Sequence, residues 1–519
     1  VNKNRFWILF LVFELILVLV LQWIKGPAGD VVIHLNTAER MIHGEKLYRD
    51  IIAFNLPICF YLRYPVIYLS EWTHISALGL SLVFDNLFSA LSFCLCLKIL
   101  NRLPFMKKSG VLGFLCASLG FLLFLVPAIQ GMSGQKEFFF FIFTLPYFLL
   151  VALQEEEIGF SGSFRAGVAV LSAVGFAYKP TCVLPLLIVQ GYRCLQARSL
   201  RPLLKMEFVL IFFLGMLYVE SMFLFFEAYF KTIVPFTSYF VFASPYQAAL
   251  WPFVVRLLLP FAIPAFILWI CQLYLKPPLH RFYNVLYLVA VGDVLNGVLQ
   301  FKPYHHHFYP VYAAVWLIFA LACAASWANQ YVSSSQVKGL FWNRSLMDVI
   351  LAVALIGLSG HIYSFTLNKN ESTKDDLIPH VIALSKKLGV PKNGELPLVY
   401  EMSYAVAPMF PYGIEAGLKW KYHFCELWLI NGILHFKEEN ASHGEEWINQ
   451  QVAEARDFVQ SAVTEDIRRN SPDFLMVDYD WRRKMSLTDF FTPNPDFAAL
   501  LAQYKYLEFY GGMSIFVKK

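Results

Sequence analysis

Residues 6–21 read FWILFLVFELILVLVL, an apolar run in which Glu14 is the one ionisable side chain. It follows Asn2-Lys3-Asn4-Arg5. A basic start before an apolar stretch is also the pattern of a secretion signal. No small-residue cleavage site follows it, however, and comparable runs recur through the first two-thirds of the chain. The run is therefore expected to be a retained membrane helix, because about 20 apolar residues cross about 30 Å of hydrocarbon. Composition agrees: 58% of the 519 residues are hydrophobic and 15% are charged, with a mean hydropathy of +0.54. Soluble domains carry about 25% charged residues, so an ordinary soluble globular protein is excluded. The nine cysteines form no CxxC pair and no His-spaced cluster, which leaves zinc and disulfide frameworks without support. The net charge of +5 is explained by topology signals, and no nucleic-acid partner is expected.

Those signals are clusters of Lys and Arg in short loops, which mark the cytoplasmic side. They are Lys3/Arg5, Lys98/Arg102/Lys107/Lys108, Arg193/Arg198/Arg201/Lys205, Lys276/Arg281 and Lys338/Arg344. Keeping each cluster inside gives eleven crossings, at 6–23, 76–98, 109–128, 138–153, 165–178, 181–195, 206–225, 251–271, 282–299, 308–327 and 346–364. The fifth and sixth are short and meet at Lys179-Pro180, as a broken or tilted pair. In the first loop, 24–75, the segment 56–69 (LPICFYLRYPVIYL) is too short to span and carries Arg63 and Pro65, so it reads as an interfacial helix. An odd number of crossings leaves the C-terminal region outside the cytoplasm. That region, 365–519, holds 21 of the 37 acidic residues. Residues 376–388 and 445–468 have helical periodicity, and 396–400, 474–477 and 513–517 are strand-like. The expected fold is a polytopic α-helical membrane domain (1–364) of about eleven transmembrane helices, with interfacial helices in the first external loop. A soluble α/β or α+β domain (365–519) follows. The expected location is a bacterial inner membrane, with the C-terminal domain extracytoplasmic.

Under this topology several polar groups gather at the external face. Asp30 follows the first span and precedes an amphipathic stretch, 31–41, and then Gly44 and Asp50. An external carboxylate suits a general base or a ligand for a divalent cation, and a helix cap equally. Asp50 beside Arg49 reads as a surface pair or turn as well as a binding group. Glu137, in Gly134-Gln135-Lys136-Glu137, begins the fourth span, where the helix dipole favours an acid. Lys179 lies between Tyr178 and Pro180, where a lysine must snorkel or meet an anion such as a lipid phosphate. The run Lys302-Pro303-Tyr304-His305-His306-His307-Phe308-Tyr309-Pro310 mixes cations with aromatic rings, a set suited to phosphate and sugar. Neighbouring helical residues point about 100° apart, so at most two of the three histidines share one site. Glu14, Asp85 and Asp293 are acids within spans, hence functional candidates or partners inside the bundle.

The order Asp30, Gly44, Tyr48-Arg49-Asp50 and Asn55-Leu56-Pro57 resembles the first external loop of bacterial membrane glycosyltransferases related to the protein O-mannosyltransferases and lipid A aminoarabinose transferases. Glu137, Lys179 after Gly175-Phe176-Ala177-Tyr178, and His306 or His307 with Tyr309-Pro310 resemble later motifs of that group, while Val31 stands where many members carry a second acid. The resemblance implies a sugar donor linked to polyprenyl phosphate and transfer at the extracytoplasmic face to a lipid, glycan or protein acceptor. Asp30 and Glu137 would be the catalytic acids. Asp50, Lys179, Lys302, His305, His306, His307 and Tyr309 would bind substrate. No cofactor is demanded, and a divalent cation on Asp30 and Glu137 is compatible with the residues. Two competing readings are a lipid or polysaccharide transporter or flippase, which the acids within spans favour, and a non-catalytic envelope-assembly protein.

Overall fold

A computed structural model describes residues 3–26, 28–107, 110–236, 279–300, 305–329, 376–391, 394–404, 406–481 and 483–519. The chain forms two compact units, each discontinuous in sequence. The first comprises residues 1–27, 78–220 and 246–368, and the second 28–77, 221–245 and 369–519.

The first unit is helical because an apolar chain in hydrocarbon must satisfy its backbone N–H and C=O groups internally. Among the described residues seven helices are long and apolar enough to cross a membrane. They are Ile8–Lys25, Ala77–Leu100, Val111–Gln130, Lys136–Glu155, Met206–Phe225, His280–Leu299 and His306–Ala325. The last residues of Met206–Phe225 run into the second unit. The expected spans at 251–271 and 346–364 lie outside the described residues. The expected fifth and sixth spans are two short helices, Gly162–Tyr178 and Leu184–Ala197, with a 3-10 turn, Pro180–Val183, between them. The break falls at Lys179 because Pro180 pushes the residue before it out of helical geometry; Lys179 has φ −142° and ψ 85°.

Lys136–Glu155 is the centre of this unit, and every residue from 137 to 153 is buried. Its neighbour Gly162–Tyr178 turns back after a few residues, so the two form a helical hairpin. Gly175 lets them touch: a Cβ there would lie 2.9 Å from both Phe143 Cβ and Thr144 Cγ2. Small residues at such contacts are how membrane helices gain van der Waals packing without a hydrophobic drive.

The second unit is a mixed α/β fold. Its strands are β1 (Val399–Met402), β2 (Phe474–Asp480), β3 (Met485–Ser486), β4 (Tyr504–Tyr510) and β5 (Met513–Lys518). The sheet order is β1-β2-β5-β4, with β3 paired to β2. Only β1 and β2 are parallel among these pairs, and the crossover between them carries helices Trp428–Glu439 and Glu445–Asn470. Parallel strands require such a crossover. The strand-like runs at 396–400, 474–477 and 513–517 coincide with or overlap β1, β2 and β5, and the periodic segments 376–388 and 445–468 match helices Leu377–Leu388 and Glu445–Asn470. Strand β4 and helix Trp428–Glu439 go beyond the sequence-based expectation; β4 sits at the sheet edge, where alternation of buried and exposed residues is weak.

The loop after the first membrane helix belongs to this second unit. It holds the helix Gly29–Ile42, and the expected single interfacial helix at 56–69 is two, Pro57–Tyr61 and Tyr64–Thr73, broken at Leu62 and a buried Arg63. The loop is stitched to the C-terminal chain through backbone. Ile52 N donates to His423 O at 2.7 Å, and Arg40 donates to Tyr422 O at 2.7 Å. The acceptor stretch is anchored in turn by Asp466, 1% exposed, which accepts from His423 N at 2.9 Å and pairs with His423 Nδ1 at 2.7 Å.

This packing can be tested at two positions. Gly175→Leu should destabilise the protein by about 1–3 kcal/mol, read as a lower Tm in detergent. Gly167→Leu on the same helix, where nothing lies within 4 Å of the new Cβ, should leave it unchanged. The hydrogen bond that Asp466 accepts raises the His423 pKa above its ordinary 6.5. A raised folded value means this stabilisation is complete below about 6.5 and is lost as pH rises through the folded pKa. Unfolding measured across that window should lose its pH dependence in Asp466→Asn.

Candidate functional site

The helical hairpin decides which residues meet. Glu137 begins its first helix and Lys179 ends its second, so residues 42 apart arrive at the same end of the pair. Each has the sign its helix terminus prefers, an acid in the first turn and a base at the C-cap. Lys179 Nζ donates to Glu137 Oε1. The pair is nearly sealed from solvent, with side-chain exposures of 10% for Lys179 and 2% for Glu137.

A third element completes the cluster. The 3-10 turn His305–Phe308 leads into the helix Tyr309–Asn329. It brings His307 Nε2 to 3.4 Å from the same Glu137 oxygen. His306 stands edge-on to His307, with ring centroids 4.5 Å apart. Ligand atoms of Glu137, His306 and His307 all lie within 4.8 Å of one another. The turn is held by Phe308, which packs so closely on Gly297 that a Cβ there would come within 2.7 Å of its ring.

The other residues singled out from the sequence have surroundings of their own. Tyr309, expected to bind substrate, is fully buried and serves packing: its hydroxyl donates to Leu122 O at 2.8 Å and its ring meets Phe141. Asp30 lies in the first turn of helix Gly29–Ile42 and belongs to the second unit. Asp50, in the same unit, accepts from Lys46 N at 2.7 Å and closes a turn. Lys302 lies outside the described residues. Within the membrane helices, Asp293 lines a small internal void with Phe140 and Leu317, and Glu14 lies against Gly120.

Chemically the cluster has two uses. One carboxylate with two imidazoles is a donor set that suits zinc or a similar divalent cation. Asp30, paired with Glu137 in the expectation from the sequence, belongs to the second unit. Lys179 works against a dication, because its ammonium already holds the carboxylate and repels a second positive charge. The other use is anion binding. An ammonium has three donors, one of which goes to Glu137, and the two histidines add N–H donors and, when protonated, charge.

The buried pair makes sharp predictions. Lys179→Met should cost about 3–5 kcal/mol by stranding a buried carboxylate. The double variant Lys179→Met/Glu137→Gln should recover most of that loss in unfolding measurements. Titration calorimetry with zinc should give tighter binding in Lys179→Ala than in the wild type, and none in Glu137→Gln. Compared with known proteins, the chain matches no family model and no curated sequence.

Proposed function

We propose that this chain is a membrane glycosyltransferase that takes a sugar from a polyprenyl-phosphate carrier and passes it to an acceptor at the extracytoplasmic face. The observation that carries the reading is the cluster of buried Glu137, Lys179 and His307 with half-buried His306 at the end of a membrane-length helix. A lipid phosphate would meet the cluster at the membrane surface, where Lys179 has two N–H donors beyond the one given to Glu137. The topology that goes with this reading has eleven crossings, with the basic loops cytoplasmic and the second unit extracytoplasmic.

In the reaction the acceptor's oxygen or nitrogen attacks the anomeric carbon. The bond from that carbon to the phosphate oxygen breaks, and its electron pair leaves on polyprenyl phosphate. Lys179 and the histidines receive the developing negative charge, and Glu137 holds Lys179 in place while leaving two of its protons for phosphate. Cations fixed in advance around a leaving oxygen lower the barrier strongly, because they need not reorganise as its charge develops. The resemblance gives the acceptor's proton to Asp30, a separate expectation with its own test.

The experiment uses the full chain in vesicles with polyprenyl-phosphate-linked sugars as donors. Lys179→Ala and His307→Ala should each lower turnover by roughly 10²-fold at unchanged donor concentration. Asp30→Asn should abolish transfer while leaving donor binding intact. Transfer at the wild-type rate in Lys179→Ala would remove the cluster from the reaction. A second reading, ion-coupled transport, is favoured by the buried carboxylates Glu14 and Asp293 within helices. Substrate uptake into vesicles that lack any sugar donor, lost in Asp293→Asn, would support it instead.

A further inference from the structure

The helix Lys136–Glu155 has a second polar end. Twenty residues at 1.5 Å each span about 30 Å, so Gln154 and Glu155 lie a full hydrocarbon thickness from Glu137. At this end the first unit has an open cleft of about 500 Å³. Its cations come from separate parts of the chain, Arg165 from one helix start and Arg193, Arg201 and Lys205 from the end of another helix and the turn after it.

Two of these cations are built into the walls. Arg193, 3% exposed as a side chain, donates to Glu155 at 2.8 Å and to Gln154 at 3.1 Å. Gln190, which also accepts from Arg193, is braced by Tyr147 at 2.6 Å. Arg165 donates through Nε to the fully buried Glu207 at 2.9 Å. These pairs hold two planar guanidinium groups in place: all three Arg193 nitrogens are engaged, whereas Arg165 keeps Nη1 without an acceptor among the described residues, ready for a phosphate oxygen. The other two cations are different. Among the described residues no carboxylate bridges Arg201 or Lys205, and both are exposed.

The surroundings add charge of both signs, with the exposed Glu157 also on the lining, and an apolar flank. Phe160, on the cleft wall, stacks with Phe164. Arg102 sits 5.9 Å from the Phe160 ring centroid and Lys98 sits 4.6 Å from that of Phe164. Near Arg201 and Lys205 in the chain, Leu195, Leu200 and Leu204 are 79%, 70% and 76% exposed. A soluble anion has no use for such leucines, but the acyl chain of a lipid does.

We propose that this cleft is a phosphate-binding site, with Arg165 and Arg193 as its fixed walls and Arg201 and Lys205 as its open contacts, and that the phosphate belongs to an anionic membrane lipid. Basic pockets between membrane helices are suited to such headgroups. The site lies at the end of the helix away from the Glu137 cluster and does not depend on the reaction proposed for it.

The test uses the full chain reconstituted in phosphatidylcholine nanodiscs, with or without added phosphatidylglycerol or cardiolipin. Retained lipid is read by native mass spectrometry and stability by thermal unfolding. Anionic lipid should be retained and should raise Tm. Arg201→Ala/Lys205→Ala, two exposed positions, should weaken retention by roughly 30-fold, and the charge-preserving Arg201→Lys/Lys205→Arg should restore it. A second arm adds inorganic phosphate without anionic lipid. A rise in Tm there that the alanine pair abolishes, together with no retention of anionic lipid, would keep the phosphate site and overturn its assignment to lipid. Equal lipid retention in wild type and the alanine pair, with no response to inorganic phosphate, would overturn the proposal altogether.

Discussion

A helix that is buried along its whole length and is long enough to cross a bilayer can show its polar groups only at its two ends. Lys136–Glu155 is such a helix, with residues 137–153 all buried. The charged clusters around it are organised by that constraint. At one end Glu137 is held by Lys179 and approached by His307, and at the other Glu155 and Gln154 hold Arg193. Charges taken from water at such positions are tolerated only when paired and hydrogen-bonded. The partners therefore arrive from other helices, and each pairing fixes the position of an element. Gly175 and Gly297 serve the same end from the apolar side, since without close approach the charged tips would not reach each other.

The second unit meets a different constraint. Its sheet joins a parallel pair to an antiparallel edge, and helices in the β1–β2 crossover come with the parallel pair. The loop after the first membrane helix adds to this unit through backbone hydrogen bonds, from Ile52 to His423, and through the bond from Arg40 to Tyr422 O. Asp466 braces the same stretch from behind. Bonds to backbone carbonyls carry little sequence signal, which is why the packing of this loop with the C-terminal chain is not legible in the sequence.

Much of the helical unit is legible in the sequence because hydrocarbon imposes one rule on every span. The runs beginning at Phe6 and at Phe138 can be found by length and apolarity alone. The break at Lys179-Pro180 is legible for a local reason, since proline restricts the residue before it. Tyr309 misleads: beside three histidines it looks like a ligand-facing ring, yet its hydroxyl is taken by Leu122 O. Strand β4 escapes notice because an edge strand needs no strict alternation of buried and exposed residues.

By itself the sequence determined that this is a multi-pass helical chain with a mixed α/β C-terminal region, because composition and periodicity report directly on how each segment meets its solvent. It also supplied the ionisable residues at the helix ends. Only the tertiary structure decided which of them are neighbours. Glu137 pairs with Lys179 because a hairpin returns the chain to its starting level, and His307 joins them through a turn from a distant helix. The cations of the opposite cleft converge in the same way, from separate helices and turns. Pairing in low dielectric is a property of distance, and distance between remote residues is set by packing.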